Sequence, residues 1–252
     1  MELTEKEQRA SEMLCLPLDG LNNLDDYTKR VKELSPVVGL FKIGKGSFTR
    51  FGCDSVRIVH EYGVKVFLDL KYHDIPNTIK DAAKAAAELG VYMFNVHASG
   101  GLEMMQASIE GAKEGAKKFN YAPPKIIGVT ILTSINDEIL NCQLKIPGTV
   151  QQKVFDLADL SSKAGLDGIV CTASDLKSIK ERLPKRFMYV TPGIQGVNTK
   201  AGQDQKRVYS PGEAVRDGSS ILVVGRAITS PKTSEERLKA GYEILQDMAK
   251  YL

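Results

Sequence analysis

Eight short apolar runs divide the chain, and amphipathic helical patterns fill the intervals between them. The runs cover residues 13–18, 38–43, 64–70, 91–97, 125–131, 165–171, 186–191 and 220–225. Most are continuously apolar and rich in Val and Ile, the pattern of parallel strands buried on both faces. The intervals leave room for one crossover helix between neighbouring strands. Pro76 suits the first position of a helix running through "NTIKDAAKAAAEL" to a stop at Gly90. "TVQQKVFDLADLSSKAG" stops at Gly165 in the same way, and "SEER" opens a last helix from Ser234 to about Tyr251. No repeat and no low-complexity linker interrupts the series. The pattern predicts an α/β protein, a (β/α)8 TIM barrel formed as one domain over residues 1–252. An open doubly wound sheet is the main competitor, and the absence of GxGxxG after the first strand counts against its dinucleotide-binding form.

Composition adds little to this frame but excludes several classes. With 252 residues, 42% of them hydrophobic, the chain can bury one large core. The net charge of +3 is nearly balanced, which gives no basis for nucleic-acid binding. The four cysteines, Cys15, Cys53, Cys142 and Cys171, have no metal-ligand spacing. Cys15 and Cys171 lie in apolar runs, where a free thiol acts as a small hydrophobe, and this favours a reducing cytoplasm. The polar start "MELTEKEQRASEML" is unlike a signal peptide, and no apolar run approaches the roughly 18 residues of a membrane span. The expectation is a cytoplasmic protein without membrane or nucleic-acid partners.

Barrel chemistry sits at the C-terminal ends of the strands. Polar residues gather there: Asp19 after the first run, Lys42 in the second, Asp69 and Lys71 in the third. Asn95 and His97 follow in the fourth, Thr130 and Thr133 in the fifth, Thr191-Pro192-Gly193 in the seventh and Gly225-Arg226 in the eighth. The densest stretch is "FLDLKYHDIPNT", residues 67–78. Charged side chains are seldom buried unless paired. Asp69 and Lys71 are two apart, so an extended strand would project both to one face. Asp74 follows in the loop, and Lys42 ends the neighbouring strand. The expected array is Lys–Asp–Lys–Asp, in which an ionised lysine can donate a proton and an ionised aspartate repels a substrate anion. This suits a reaction that loses an anionic group and then takes up a proton. A structural ion-pair network closing the barrel end fits the same spacing. His73 and His97 lack metal-ligand company and read as structural.

At the other end of the strand order, Gly225 would let backbone approach a ligand and Arg226 offers a planar fork for phosphate oxygens. A solvated arginine at an ordinary strand end is the plainer reading. The segment "GIQGVNTKAGQDQKRV" after Pro192 is polar and long enough to be a lid, or simply a surface loop. Pro17 removes a ladder donor within the first strand, next to Asp19.

Together "LPLD", "FKIG", "DLKYHDIPNT", "NVHASGG", "GVTILTS", "VTPGI" and "VVGRAIT" resemble the ordered strand-end motifs of the orotidine 5'-monophosphate decarboxylases over nearly the whole chain. The resemblance implies conversion of orotidine 5'-monophosphate to UMP and CO2 without metal or organic cofactor. It assigns Lys71 as proton donor to C6 of the pyrimidine and Asp69 to the place beside the substrate carboxylate. Lys42 and Asp19 match residues that bind ribose hydroxyls and complete the charge network. Asp74 and Thr78 match residues that reach the neighbouring subunit's site, which implies a homodimer with shared sites. Thr133 matches a hydroxyl reading the pyrimidine edge, Pro192 an apolar wall, and Gly225 and Arg226 the phosphate site. The family has a glutamine in the lid loop that bridges phosphate and base. Gln195, Gln203 and Gln205 are all candidates, of which Gln195 is preferred. A metal-dependent sugar-phosphate decarboxylase or hexulose-phosphate synthase is the nearest alternative. A non-catalytic phosphate-binding barrel is the alternative from another class.

Overall fold

The structure is a computed structural model, and it describes residues 2–197 and 209–252. Eight parallel strands follow one another in chain order into a closed barrel. They are β1 (Leu14–Pro17), β2 (Leu40–Gly44), β3 (Lys65–Tyr72), β4 (Met93–His97), β5 (Lys125–Val129), β6 (Gly168–Val170), β7 (Met188–Pro192) and β8 (Ile221–Val223). Each coincides with one predicted apolar run. By its internal contacts the chain divides into two compact units, Met1–Leu70 with Thr191–Leu252, and Lys71–Val190.

In the first unit, β1 pairs with β2 in the register Cys15↔Leu40 and Pro17↔Lys42, and β2 pairs with β3 so that Gly44 lies beside Asp69. Leu14, Leu16, Phe41, Leu68 and Leu222 are fully buried. Pro17 does not disturb β1. The Leu18 N–H still reaches the Lys42 carbonyl at 3.0 Å, so pairing with β2 continues past the proline. Alternation turns the Pro17 nitrogen toward β8, where the register ends at Cys15↔Val223, so no ladder donor is needed there. The final helix, Ser234–Ala249, opens with a capping box between Thr233 and Glu236. Its Arg237 guanidinium forks onto the Glu33 carboxylate at 2.6 and 2.8 Å, tying it to the helix Leu24–Leu34.

In the second unit, the predicted helix after β3 spans Pro76–Glu88 with the proline at its start, and Gly90 beyond its end has φ +71°. It packs closely on the helix Gly101–Lys118. A Cβ at Gly111 or Gly115 would collide with the backbone carbonyls of Lys80 or Lys84, so these glycines set how near the two helices come. The helix Val150–Ala164 ends as expected, with Gly165 in the left-handed region.

Candidate active site

Within the first unit the sequence-predicted charges assemble around Lys42. Its ammonium lies 2.9 Å from Asp69 Oδ2 and 3.6 Å from Asp19 Oδ2. Register explains the meeting: Lys42 pairs with Phe67 and Gly44 with Asp69, so Lys42 and Asp69 are diagonal neighbours on one face of the paired strands, and Asp19 follows the end of β1. The Lys42 and Asp69 side chains are 13% and 10% exposed, whereas that of Asp19 is 59% exposed. The Lys42–Asp69 pair is therefore the tightly coupled one, worth about 6 kcal/mol of attraction before desolvation at an effective dielectric near 20. Burial alone would lower the Lys42 pKa, but the carboxylates of Asp69 and Asp19 outweigh it and hold the ammonium above its usual value. Lys42 stays charged throughout the physiological range.

Two neighbours shape this cluster in ways the sequence did not announce. Gly44 ends β2 beside Asp69, and a Cβ there would sit 2.8 Å from Asp19 Oδ1 and 3.3 Å from Lys42 Nζ. Ser47, buried in the following helix, donates its hydroxyl to the Leu18 carbonyl just ahead of Asp19. A glycine directly after "FKI" was the available signal for the first. Ser47 carried none.

Lys71 belongs to the second unit by its contacts, two residues beyond Asp69 in β3. It is half-buried, and its φ is +51°. The period-two argument, which places Asp69 and Lys71 on one face, assumes an extended backbone and stops applying at Lys71. A left-handed non-glycine residue costs roughly 1–3 kcal/mol and persists only where surroundings enforce it. The enforcing contact is visible. The Lys71 N–H donates to Oδ1 of Asn95 at 2.8 Å, and Asn95 is fully buried in β4. Beyond β3, Asp74 is exposed and accepts the Ile75 N–H at 2.7 Å, Thr78 is exposed on the first turn of the next helix, and Ile75 between them is 65% exposed. His73 and His97 lie near each other, with ring centroids 5.3 Å apart. Among the described residues no group of three or more His, Cys, Asp and Glu side chains is arranged to hold a metal ion.

Comparison with known protein families matches residues 12–240 to the family described as Orotidine 5'-phosphate decarboxylase / HUMPS. The chain belongs to this family. A protein named orotidine 5'-phosphate decarboxylase from Syntrophus aciditrophicus is 45% identical over 252 residues, covering 100% of this chain and 99% of that protein. One of the same name from Moorella thermoacetica is 46% identical over 88% of this chain and 87% of its own length. Among solved structures, the orotidine 5'-phosphate decarboxylase from Lactobacillus acidophilus superposes with a TM-score of 0.80 at 33% identity, covering 93% of this chain and 98% of that one.

The remaining positions singled out by resemblance to the orotidine 5'-phosphate decarboxylases are these. Thr133 is exposed in a turn after β5, while Thr130, buried nearby in sequence, donates to the Val170 carbonyl at 3.0 Å and so serves the barrel wall. Pro192 ends β7 partly buried. Gln195 is partly buried, and its backbone N–H donates to the Tyr209 carbonyl at 3.3 Å. Gln203 and Gln205 lie outside the described residues. Gly225 follows β8, where a Cβ would meet the Pro17 ring at 3.2 Å, and Arg226 is exposed at the start of the short helical turn Arg226–Thr229. The glycine thus also clears a packing contact with β1, a role apart from ligand approach.

Proposed function

We propose that this chain decarboxylates orotidine 5'-monophosphate to UMP and CO2, the closing step of UMP synthesis, through its Lys/Asp charge network and without a metal or organic cofactor. The observation that carries the reading is the Lys42 ammonium held 2.9 Å from Asp69, two residues ahead of Lys71, in a chain 45% identical over its full length to a protein of that name. In this mechanism the bond between C6 and the carboxylate carbon breaks, CO2 leaves, and the electron pair stays on C6. The Lys71 ammonium delivers a proton to C6 and is reprotonated from water. Asp69 stands beside the departing carboxylate and, with Lys42, fixes a field that favours the carbanion-like transition state. Lys42 and Asp19 serve the ribose hydroxyls, and Gly225 with Arg226 takes the phosphate. Thr133, Pro192 and Gln195 line the base and its link to the phosphate.

We assign Asp74 and Thr78 to the partner subunit's site in a homodimer. Both are exposed, and the large apolar side chain of Ile75 beside Asp74 stands 65% open to solvent, as expected of a face that another surface covers. Asp74→Ala and Lys71→Ala proteins, each with only residual activity alone, are expected to recover partial activity when mixed and allowed to exchange subunits. Absence of recovery despite demonstrated exchange would remove the shared site. The buried free thiols of Cys15 and Cys171 support a reducing compartment such as the cytoplasm. Among the described residues no helix is long and apolar enough to cross a membrane.

The deciding assay follows the ultraviolet absorbance of orotidine 5'-monophosphate mixed with the protein in excess EDTA. Loss of absorbance with UMP as product is the expected result. Turnover only after magnesium is restored, and only with sugar phosphates, would move the chain to the metal-dependent alternative. Binding of the nucleotide without turnover would make it a phosphate-ligand-binding barrel.

A further inference from the structure

We propose that Asn95 is the positioning residue for Lys71, holding it in the backbone conformation from which its side chain serves the reaction. The proposal rests on the reading of Lys71 as proton donor. Asn95 sits in the apolar strand β4, where Phe94 and Val96 on either side are also fully buried. A polar amide in that setting is costly unless it is hydrogen-bonded. Its Oδ1 accepts the Lys71 N–H at 2.8 Å, across 24 residues of sequence.

Lys71 is the residue for which such an acceptor matters. Three non-glycine residues among those described have positive φ: Lys71, Asn120 and Lys145. Asn120 and Lys145 are exposed in irregular segments, where a left-handed residue is easily accommodated. Lys71 is half-buried and lies within β3. At φ +51° its side chain leaves the backbone in a direction that an extended residue could not give it. Relaxation of that φ to the strand region would swing both the Lys71 amide and its side chain. The Asn95 oxygen, fixed by a fully packed strand, fastens the amide and so fixes the side chain's point of departure. Asn95 acts through Lys71 and needs no contact with the substrate.

The test compares Asn95→Leu and Asn95→Ser, which remove the acceptor or put it out of reach, with Asn95→Asp, which keeps an oxygen in place. Each is measured for kcat with orotidine 5'-monophosphate, for UMP affinity by calorimetry and for stability in urea, alone and combined with Lys71→Ala. Ser161→Ala, a fully buried polar deletion in the helix Val150–Ala164, controls for a general loss of stability. The leucine and serine variants are expected to lose about 10²-fold in kcat, the scale of a displaced catalytic group, with UMP affinity changed by less than about three-fold. Asn95→Asp is expected to retain kcat within about ten-fold, and the leucine change to have no further effect on the Lys71→Ala protein. If leucine prevents folding, the serine variant is judged by the same criteria. Near-normal kcat in a folded acceptor-less variant, an equal fall for Asn95→Asp, or an undiminished effect in the Lys71→Ala background would each overturn the positioning role. Normal turnover by Lys71→Ala alone would overturn the proton-donor reading and this proposal with it. Inactive Lys71→Ala beside active Asn95→Leu overturns the positioning role only.

Discussion

Replacement of Lys71 by alanine is expected to lower kcat by about 10⁴-fold or more while leaving UMP binding measurable. Two contributions disappear together: a positioned general acid is worth about 10²–10⁴, and a preorganised charge at the developing carbanion about 10²–10³. They act in the transition state, so kcat and kcat/KM should fall in parallel, while affinity for a product that carries no C6 charge changes little. Steady-state rates and UMP calorimetry on the same protein would check this. The substitution also removes a left-handed lysine, and alanine is no better suited to φ +51°, so no compensating gain of stability is expected. Near-normal turnover would take Lys71 out of the mechanism and return the charged strand end to the structural ion-pair reading.

Lys42→Met is expected to reduce both stability and activity. Lys42 and Asp69 form a buried pair, and deletion of Lys42 takes from the buried Asp69 carboxylate a charge held 2.9 Å away, which costs about 3 kcal/mol. The exposed Asp19 contributes little to this figure, because solvent screens its 3.6 Å contact. The pH dependence has a definite sign. The folded-state pKa of Lys42 lies above its ordinary value of 10.5, despite burial, because Asp69 and Asp19 favour the ammonium. Its stabilising contribution is complete below the unfolded-state value and is lost as pH rises through the folded-state value. Urea unfolding should therefore separate wild type from Lys42→Met by the full amount at neutral pH and by a shrinking amount above pH 10.5. Coincident unfolding curves at pH 7 would show that the pair contributes nothing net.

The strands were readable because parallel strands covered on both faces must be apolar almost throughout, and runs such as "VKVFLDL" leave no other period to fit. Helix ends were readable where a single residue type dictates them, as at Pro76 and Gly165. The meeting of Lys42 with Asp69 followed from adjacent strand ends alone. The backbone at Lys71 did not, because alternation presumes the extended conformation that this residue abandons. Asn95 was visible as a polar residue in an apolar strand, but its partner lies 24 residues away and bonds through the backbone, which no side-chain pattern can reveal. The roles given to Asp74 and Thr78 came from resemblance. Exposure, and for Asp74 a local hydrogen bond from the Ile75 N–H, is all that their surroundings add.

The glycines of this chain divide by what stands in their way. At Gly111 and Gly115 the obstacle is main chain, which cannot step aside, so a larger residue there would force two helices apart and be paid for in folding. At Gly44 the nearest obstacle is the tip of the exposed Asp19 carboxylate, which can swing away, with the Lys42 ammonium just beyond it. An alanine at that position would leave the barrel standing and move the charges instead. Under the proposed mechanism, drift at Gly44 would be felt first in catalysis, and drift at Gly111 first in folding.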